Sequence, residues 1–216
     1  MKSIVKIAKT IDDAVREALL ELGADKDDVL IKVLEEPSKG FLGIIGCKDA
    51  KVEVTVVNDP VEVAGNFLKM LFNKMKIDAN ANIKRDGTSL FIDIRDISDR
   101  DMGILIGKRG KTLDSIQYLV GLIVNKEREN YIRVFLDVNN YRKKREETLI
   151  RLAEKMAFKA KRLRRDIKLE PMNSNERRII HSTLQNNPYV ETFSEGEEPF
   201  RRVVISYKRE TSKTQY

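Results

Sequence analysis

The sequence predicts an α+β protein: three small α/β-sandwich-like domains in tandem. Short runs in which apolar and polar residues alternate are interspersed with runs whose apolar residues recur every three or four positions, so strands and helices are mixed along the chain. Asn58-Asp59-Pro60 and the Asp137-Val-Asn-Asn-Tyr141 stretch interrupt these patterns. They divide the chain into residues 1–57 (β-α-β-β), 58–139 (α-β-β-α-α-β) and 140–208 (helix-rich with a small sheet), with 209–216 as a tail. At 216 residues, 41% of them hydrophobic, the chain is long enough for one or two domains or for several small ones, and can fill their cores.

In the first segment, Ile4-Val5-Lys6-Ile7 reads as a strand. Thr10 caps a helix whose apolar face is Ala14, Ala18, Leu19 and Leu22, and Gly23 ends it. Val29, Ile31 and Val33 alternate with polar residues, as do Val52, Val54 and Val56, which predicts two strands. They are joined by the glycine-rich stretch Pro37 to Gly46. Such a stretch is ordinarily a turn, but Phe41, Leu42, Ile44 and Ile45 are apolar and form a candidate contact patch for a protein partner.

In the second segment, residues 61–76 form an amphipathic helix with Val61, Ala64, Leu68, Leu71, Phe72 and Met75 on its apolar face. Ala81 to Arg85 and Leu90 to Arg95 are strands turned at Asp86-Gly87. Leu90, Ile92 and Ile94 face one side, and Phe91 and Asp93 the other. A helix then ends at Gly107, Lys108 and Arg109 follow, and Gly110 opens a second helix from Lys111 to about Lys126. The apolar face of this helix is read as Leu113, Ile116, Leu119, Val120 and Ile123. A strand from Tyr131 to Val138 closes the segment.

The paired glycines allow positive φ and bring the backbone close to a ligand. The helix behind them offers unpaired N–H groups and the positive end of its dipole, which suits an anion. Lys108, Arg109 and Lys111 concentrate positive charge at the same point. Gly110-Lys-Thr resembles the end of a nucleotide-binding P-loop, but that motif needs glycine at 105, where Leu105 stands, and a preceding strand.

The third segment carries most of the charge. Between Tyr141 and Glu170, twelve Lys and Arg face five Asp and Glu, an excess equal to the net charge of the whole chain, +7. Leu149, Leu152, Ala153, Met156, Ala160 and Leu163 mark the buried stripe of a long helix reaching about Arg165. Arg151, Lys155, Lys159 and Arg162 form a cationic stripe on another face, which suits an anionic surface. Ser174 caps a further helix on which Arg177 and His181, four apart, share a face. Strands near Tyr189 to Phe193 and from Arg201 follow, separated by the acidic turn Glu195 to Glu198.

Composition narrows the chemistry. The only cysteine, Cys47, permits no intramolecular disulfide and points to a reducing, cytoplasmic setting. The lysine-broken N-terminus does not fit a signal peptide, and no apolar run approaches the roughly 20 residues of a membrane span, so membrane insertion is not expected. A single histidine without a cysteine cluster makes neither a metal site nor a triad. Asp93, Asp96, Asp99 and Asp101 could suggest a metal-dependent nuclease but read more simply as strand-end and helix-cap residues. No cofactor and no enzymatic activity are expected.

The order α-β-β-α-α-β with Gly-Lys-Arg-Gly between adjacent helices resembles the type II KH domain. That resemblance implies that Gly107, Lys108, Arg109 and Gly110 hold the phosphates of a short single strand. Ile106, Leu113 and Ile116 are then candidates for an apolar floor under the bases, or equally for helix-helix core. Phe91 and Phe135 could stack on bases, though packing together on the open sheet face is the simpler expectation. Arg177-x-x-x-His181 with the two strands and acidic turn resembles the single-strand nucleic-acid-binding domain named after that Arg and His. By that resemblance both residues lie on a binding face, whereas in isolation His181 reads as a structural hydrogen-bonding residue.

Lys39-Gly-Phe-Leu-Gly-Ile-Ile-Gly46, Gly107-Lys-Arg-Gly110, Leu136-Asp-Val-Asn-Asn-Tyr141-Arg-Lys-Lys-Arg, Glu176-Arg-Arg-Ile-Ile-His181 and Ser194-Glu-Gly-Glu-Glu-Pro199 occur in this order. In combination they resemble the Jag family, whose members are also called SpoIIIJ-associated protein, KhpB or EloR. The resemblance implies a bacterial cytoplasmic protein that binds single-stranded RNA (ssDNA being the alternative ligand) and is linked to cell elongation, division or sporulation. It also implies a small stand-alone KH protein, or self-association, as partner. A membrane or division protein docked through the Phe41 to Ile45 patch is a further expected partner. The short link around Asn58 to Pro60 departs from the long charged linker of many relatives.

Overall fold

The computed structural model describes residues 2–38, 48–126 and 128–208. It is α+β with three small sheets in tandem, as the alternating patterns predict; each is three-stranded, the third by a two-residue strand, Ile167–Lys168, too short to leave a pattern. The first two sheets share one compact unit, Met1–Asn139, and the third lies in a second, Asn140–Tyr216.

In the first sheet, β1 (Ser3–Ala8) and β2 (Val29–Glu35) flank β3 (Ala50–Val56), all antiparallel. Helix α1 (Ile11–Leu22) covers one face. The Thr10 hydroxyl accepts from the Asp13 N–H at 3.1 Å, and Gly23 closes the helix at φ 61°. Ala14, Ala18, Val52 and Val54 are fully buried between helix and sheet. Val33 departs from the expected alternation. It is exposed although it still pairs in register with the buried Val52, and the β2–β3 register shifts only beyond it, before Glu35. Phe41, Leu42, Ile44 and Ile45 lie outside the described residues.

In the second sheet, β4 (Asn80–Asp86) pairs antiparallel with β5 (Ser89–Arg95), and β5 pairs parallel with β6 (Arg133–Val138). The hairpin pairs Asp86 with Ser89, which moves the turn by one residue to Gly87-Thr88. Asp59 caps α2 (Pro60–Met75), with Pro60 in its first turn, where a missing N–H costs nothing. Leu90, Ile92 and Ile94 are buried, together with Ala64, Leu68 and Phe72 of α2 and Leu136 and Val138 of β6. Phe91 and Phe135 stack on the open sheet face with ring centroids 5.1 Å apart.

One buried ionic cluster joins the two sheets of this unit. The Asp28 side chain, 2% exposed, accepts from Arg85 and from Arg128, each at 2.6 Å, and from the Asp25 N–H at 2.8 Å. Arg128 also donates to the carbonyls of Val124 and Asn58, and Arg85 also pairs with Asp25. Burial opposes ionisation of Asp28 most strongly. The Asp25 N–H and the two guanidinium groups together outweigh it and hold the carboxyl below its ordinary range.

In the second unit, α5 (Tyr141–Leu163) and α6 (Ser174–Leu184) pack on a sheet in which β9 (Arg202–Tyr207) lies between β7 (Ile167–Lys168) and β8 (Val190–Glu195). Leu149, Ala153, Ala157 and Ala160 of α5 meet Ile180 and Leu184 of α6 and Val203 and Ile205 of β9. Leu163, expected in the stripe, is exposed at the last residue of the helix.

Candidate nucleic-acid interface

Helix α3 (Asp99–Ile106), capped by Ser98, ends at Gly107, whose N–H donates to the Gly103 carbonyl at 2.9 Å. A single 3-10 turn over Lys108–Gly110 leads into α4 (Lys111–Val124). Gly107 at φ 68°, Arg109 at φ 60° and Gly110 at φ 80° all take positive φ. Gly107 is required for a second reason: a Cβ there would lie 2.0 Å from the Thr112 hydroxyl oxygen. The backbone is thereby drawn against the first turn of α4, where no side chain caps the helix. Lys108 and Lys111 project into solvent, Arg109 is half-buried and Gly110 is buried.

Leu113 and Ile116, candidates for the apolar floor, belong to the core. Leu113 is fully buried and Ile116 only 4% exposed. Ile106 remains partly exposed at the end of α3, and Ile104 on the same helix is exposed. The apolar face of α4 is correspondingly rotated from its expected position. Gly121 and Val124 are buried, while Leu119 and Ile123 point outward beside Tyr118 and Leu122. This helix carries two apolar stripes, and periodicity mixes residues from both.

On the second unit, Arg151, Lys155, Lys159 and Arg162 are all exposed along α5. Arg177 and His181 share a face of α6, as their spacing requires, and both are engaged within the fold. Arg177 donates to the Met172 carbonyl at 2.8 Å and to Glu198 of the acidic turn at 2.7 Å. The imidazole of His181 bridges two hydroxyls of β8, Thr192 at 2.6 Å from Nδ1 and Ser194 at 2.9 Å from Nε2. Burial, with the Arg177 guanidinium nearby, pushes the imidazole below its ordinary range. A neutral ring then has one donor and one acceptor nitrogen for the two hydroxyls. Sequence reasoning places Ser194 and Glu198 only in a signature and an acidic turn, without the His181 and Arg177 contacts the fold gives them, and it does not single out Thr112 or Thr192. The one available signal is the i,i+2 spacing of Thr192 and Ser194, which puts both on one strand face.

Among the described residues, no group of His, Cys, Asp and Glu is placed to hold a metal ion, and no helix is long and apolar enough to cross a membrane. Asp93 pairs with Arg95 at 2.5 Å, and Asp99 and Asp101 lie in the first turn of α3.

These features are those of a three-module chain with a KH-type glycine turn. Residues 6–56 match the Jag N-terminus model and 61–135 the KhpA/KhpB KH domain. Residues 147–207 match the model of the domain named after its Arg-x-x-x-His pair. A protein of Clostridium symbiosum named RNA-binding protein KhpB is 47% identical over 210 residues, covering 97% of this chain and 94% of that protein. Its namesake in Bacillus subtilis is 38% identical over 211 residues, covering 97% and 100%. The chain belongs to the KhpB family.

Proposed function

We propose that this chain is a non-enzymatic protein that binds single-stranded RNA through two platforms. The observation that carries this is the Gly107–Gly110 turn. Its backbone is held against an uncapped helix N-terminus, with Lys108 and Lys111 projecting beside it. N–H groups and cations together can hold the phosphates of a short single strand there. The names of the relatives point to the same ligand class. The cationic stripe of α5 supplies the second platform. Arg177 and His181 would add to it only where phosphate competes with Glu198 and charges the imidazole. Because one chain links the platforms, each acts at high effective concentration once the other is bound.

Replacing both Lys108 and Arg109 with Asp tests the reading. Binding of a single-stranded oligoribonucleotide should fall at least tenfold, while circular dichroism and the thermal midpoint stay close to wild type. Unchanged affinity in that folded variant would remove the turn from the interface. In the cell we assign the chain to post-transcriptional regulation tied to elongation, division or sporulation, on the strength of its family. RNA cross-linked in vivo and recovered with the wild type but not with this variant would identify the transcripts.

A protein partner is part of the proposal. Tyr118, Leu119, Leu122 and Ile123 leave an exposed apolar face on α4, suited to a small stand-alone KH protein or a second copy. Leu122→Asp should abolish association in sedimentation without lowering stability. A membrane-associated partner on the Phe41 to Ile45 patch is tested by nuclease-resistant co-purification that Phe41→Asp removes.

A further inference from the structure

Phe158 lies on α5, two turns beyond Arg151, and is 65% exposed. The buried residues of this helix are Leu149, Ala153, Ala157 and Ala160, and Phe158 is not among the residues packed with them in the core. Its neighbours at three- and four-residue spacing are Lys155, Lys161 and Arg162, with Glu154 as the single acid. A phenylalanine is a poorer helix former than the Lys, Glu or Ala that normally occupies such a solvent position. Folding therefore gives no reason for an aromatic ring amid this charge.

Tyr189, another aromatic beside these cations, is already covered. Lys161 Nζ lies 3.2 Å from the centroid of the Tyr189 ring. Among the described residues, Phe158 stacks on no ring and under no cation.

From this arrangement we propose that Phe158 is a base-stacking site for single-stranded RNA, with Lys155 and Arg162 holding the phosphates on either side of the stacked nucleotide. The charge of the surroundings favours a polyanion over an apolar protein surface. A flat ring in a cationic track is the combination that binds single strands without sequence preference, because every base presents a π-face. The proposal rests on the RNA-binding reading and adds to it a residue acting through bases, where Lys108, Arg109 and the α5 cations act through phosphates.

The chain contains no tryptophan, so Phe158→Trp introduces a single reporter. The indole emission of that variant should be quenched saturably by an oligoribonucleotide. Phe158→Ala should weaken binding about five- to a hundredfold, the range for loss of one stacked base, with an unchanged slope of log K against log salt. On an abasic oligonucleotide of equal charge, wild type and Phe158→Ala should bind alike. The proposal is overturned if the wild type binds RNA while the indole emission of Phe158→Trp is unchanged or Phe158→Ala binds as tightly. It is equally overturned if that emission shifts with protein concentration in the absence of RNA, which would make the site a contact between copies. Failure of the wild type to bind RNA at all would instead reject the parent reading.

Discussion

Gly107 is a residue whose identity is dictated twice, by φ 68° and by the Thr112 side chain packed against it. Gly107→Ala should cost about 1–3 kcal/mol through strain at a positive φ, read as a lower urea midpoint at constant m. It should also weaken RNA binding, since relieving the clash moves the turn away from the start of α4. His181 makes a second prediction, set by proton linkage. Its folded pKa lies below the unfolded value of about 6.5, so above that pH both states are neutral and stability is complete. On acidification the unfolded chain binds the proton first, and stability falls from about pH 6.5 down through the lower folded pKa. The thermal midpoint of the wild type should therefore drop more between about pH 7.5 and pH 5 than that of His181→Gln, whose amide can still donate and accept. Parallel curves would show that the imidazole is not the titrating group.

At the scale of elements, the Asp28 cluster decides how the first sheet meets the second within Met1–Asn139. Asp28 sits in the short turn before β2, Arg85 on β4 and Arg128 beyond the end of α4, so one carboxylate ties together elements from two sheets. Removing one member of a buried pair leaves the other charged and unpaired, so Arg128→Met should destabilise this unit by about 3–5 kcal/mol. The double variant Asp28→Leu/Arg128→Met should recover part of that loss in chemical denaturation. The acid limb follows from the depressed Asp28 pKa. Its contribution is fully present above about pH 3.9, the unfolded value, and is lost as pH falls through the lower folded value.

For the whole molecule, the expected observable is salt dependence. With about five phosphates engaged over both platforms, log K should fall against log salt with a slope near −3.5, from about −0.7 per contact on single strands. Replacing Lys155 and Arg162 with Ala should flatten it by about 1.4 on the same count. A slope unchanged in that variant would place the RNA off α5. Basicity alone does not specify this outcome: the net +7 resides in one segment, and the acidic turn on Arg177 shows that a cation can be engaged within the fold.

The sequence by itself determined what depends on neighbours along the chain. Thr10, Gly23 and the paired glycines set element boundaries through caps and positive φ, and alternation named Val52 and Val54 of β3 and Leu90, Ile92 and Ile94 of β5, all buried, although Val56 is only partly so. The turn at Gly107–Gly110 was legible because its chemistry is local. Only the tertiary structure decided which of two apolar stripes on α4 meets the sheet, since periodicity records spacing within a helix and not what lies across from it. It alone brought Asp28 to Arg85 and Arg128, 57 and 100 residues away, and Glu198 to Arg177. Charged residues in sequence look solvated, and they become a buried cluster or a neutralised pair only when the fold supplies the counter-charge and excludes water.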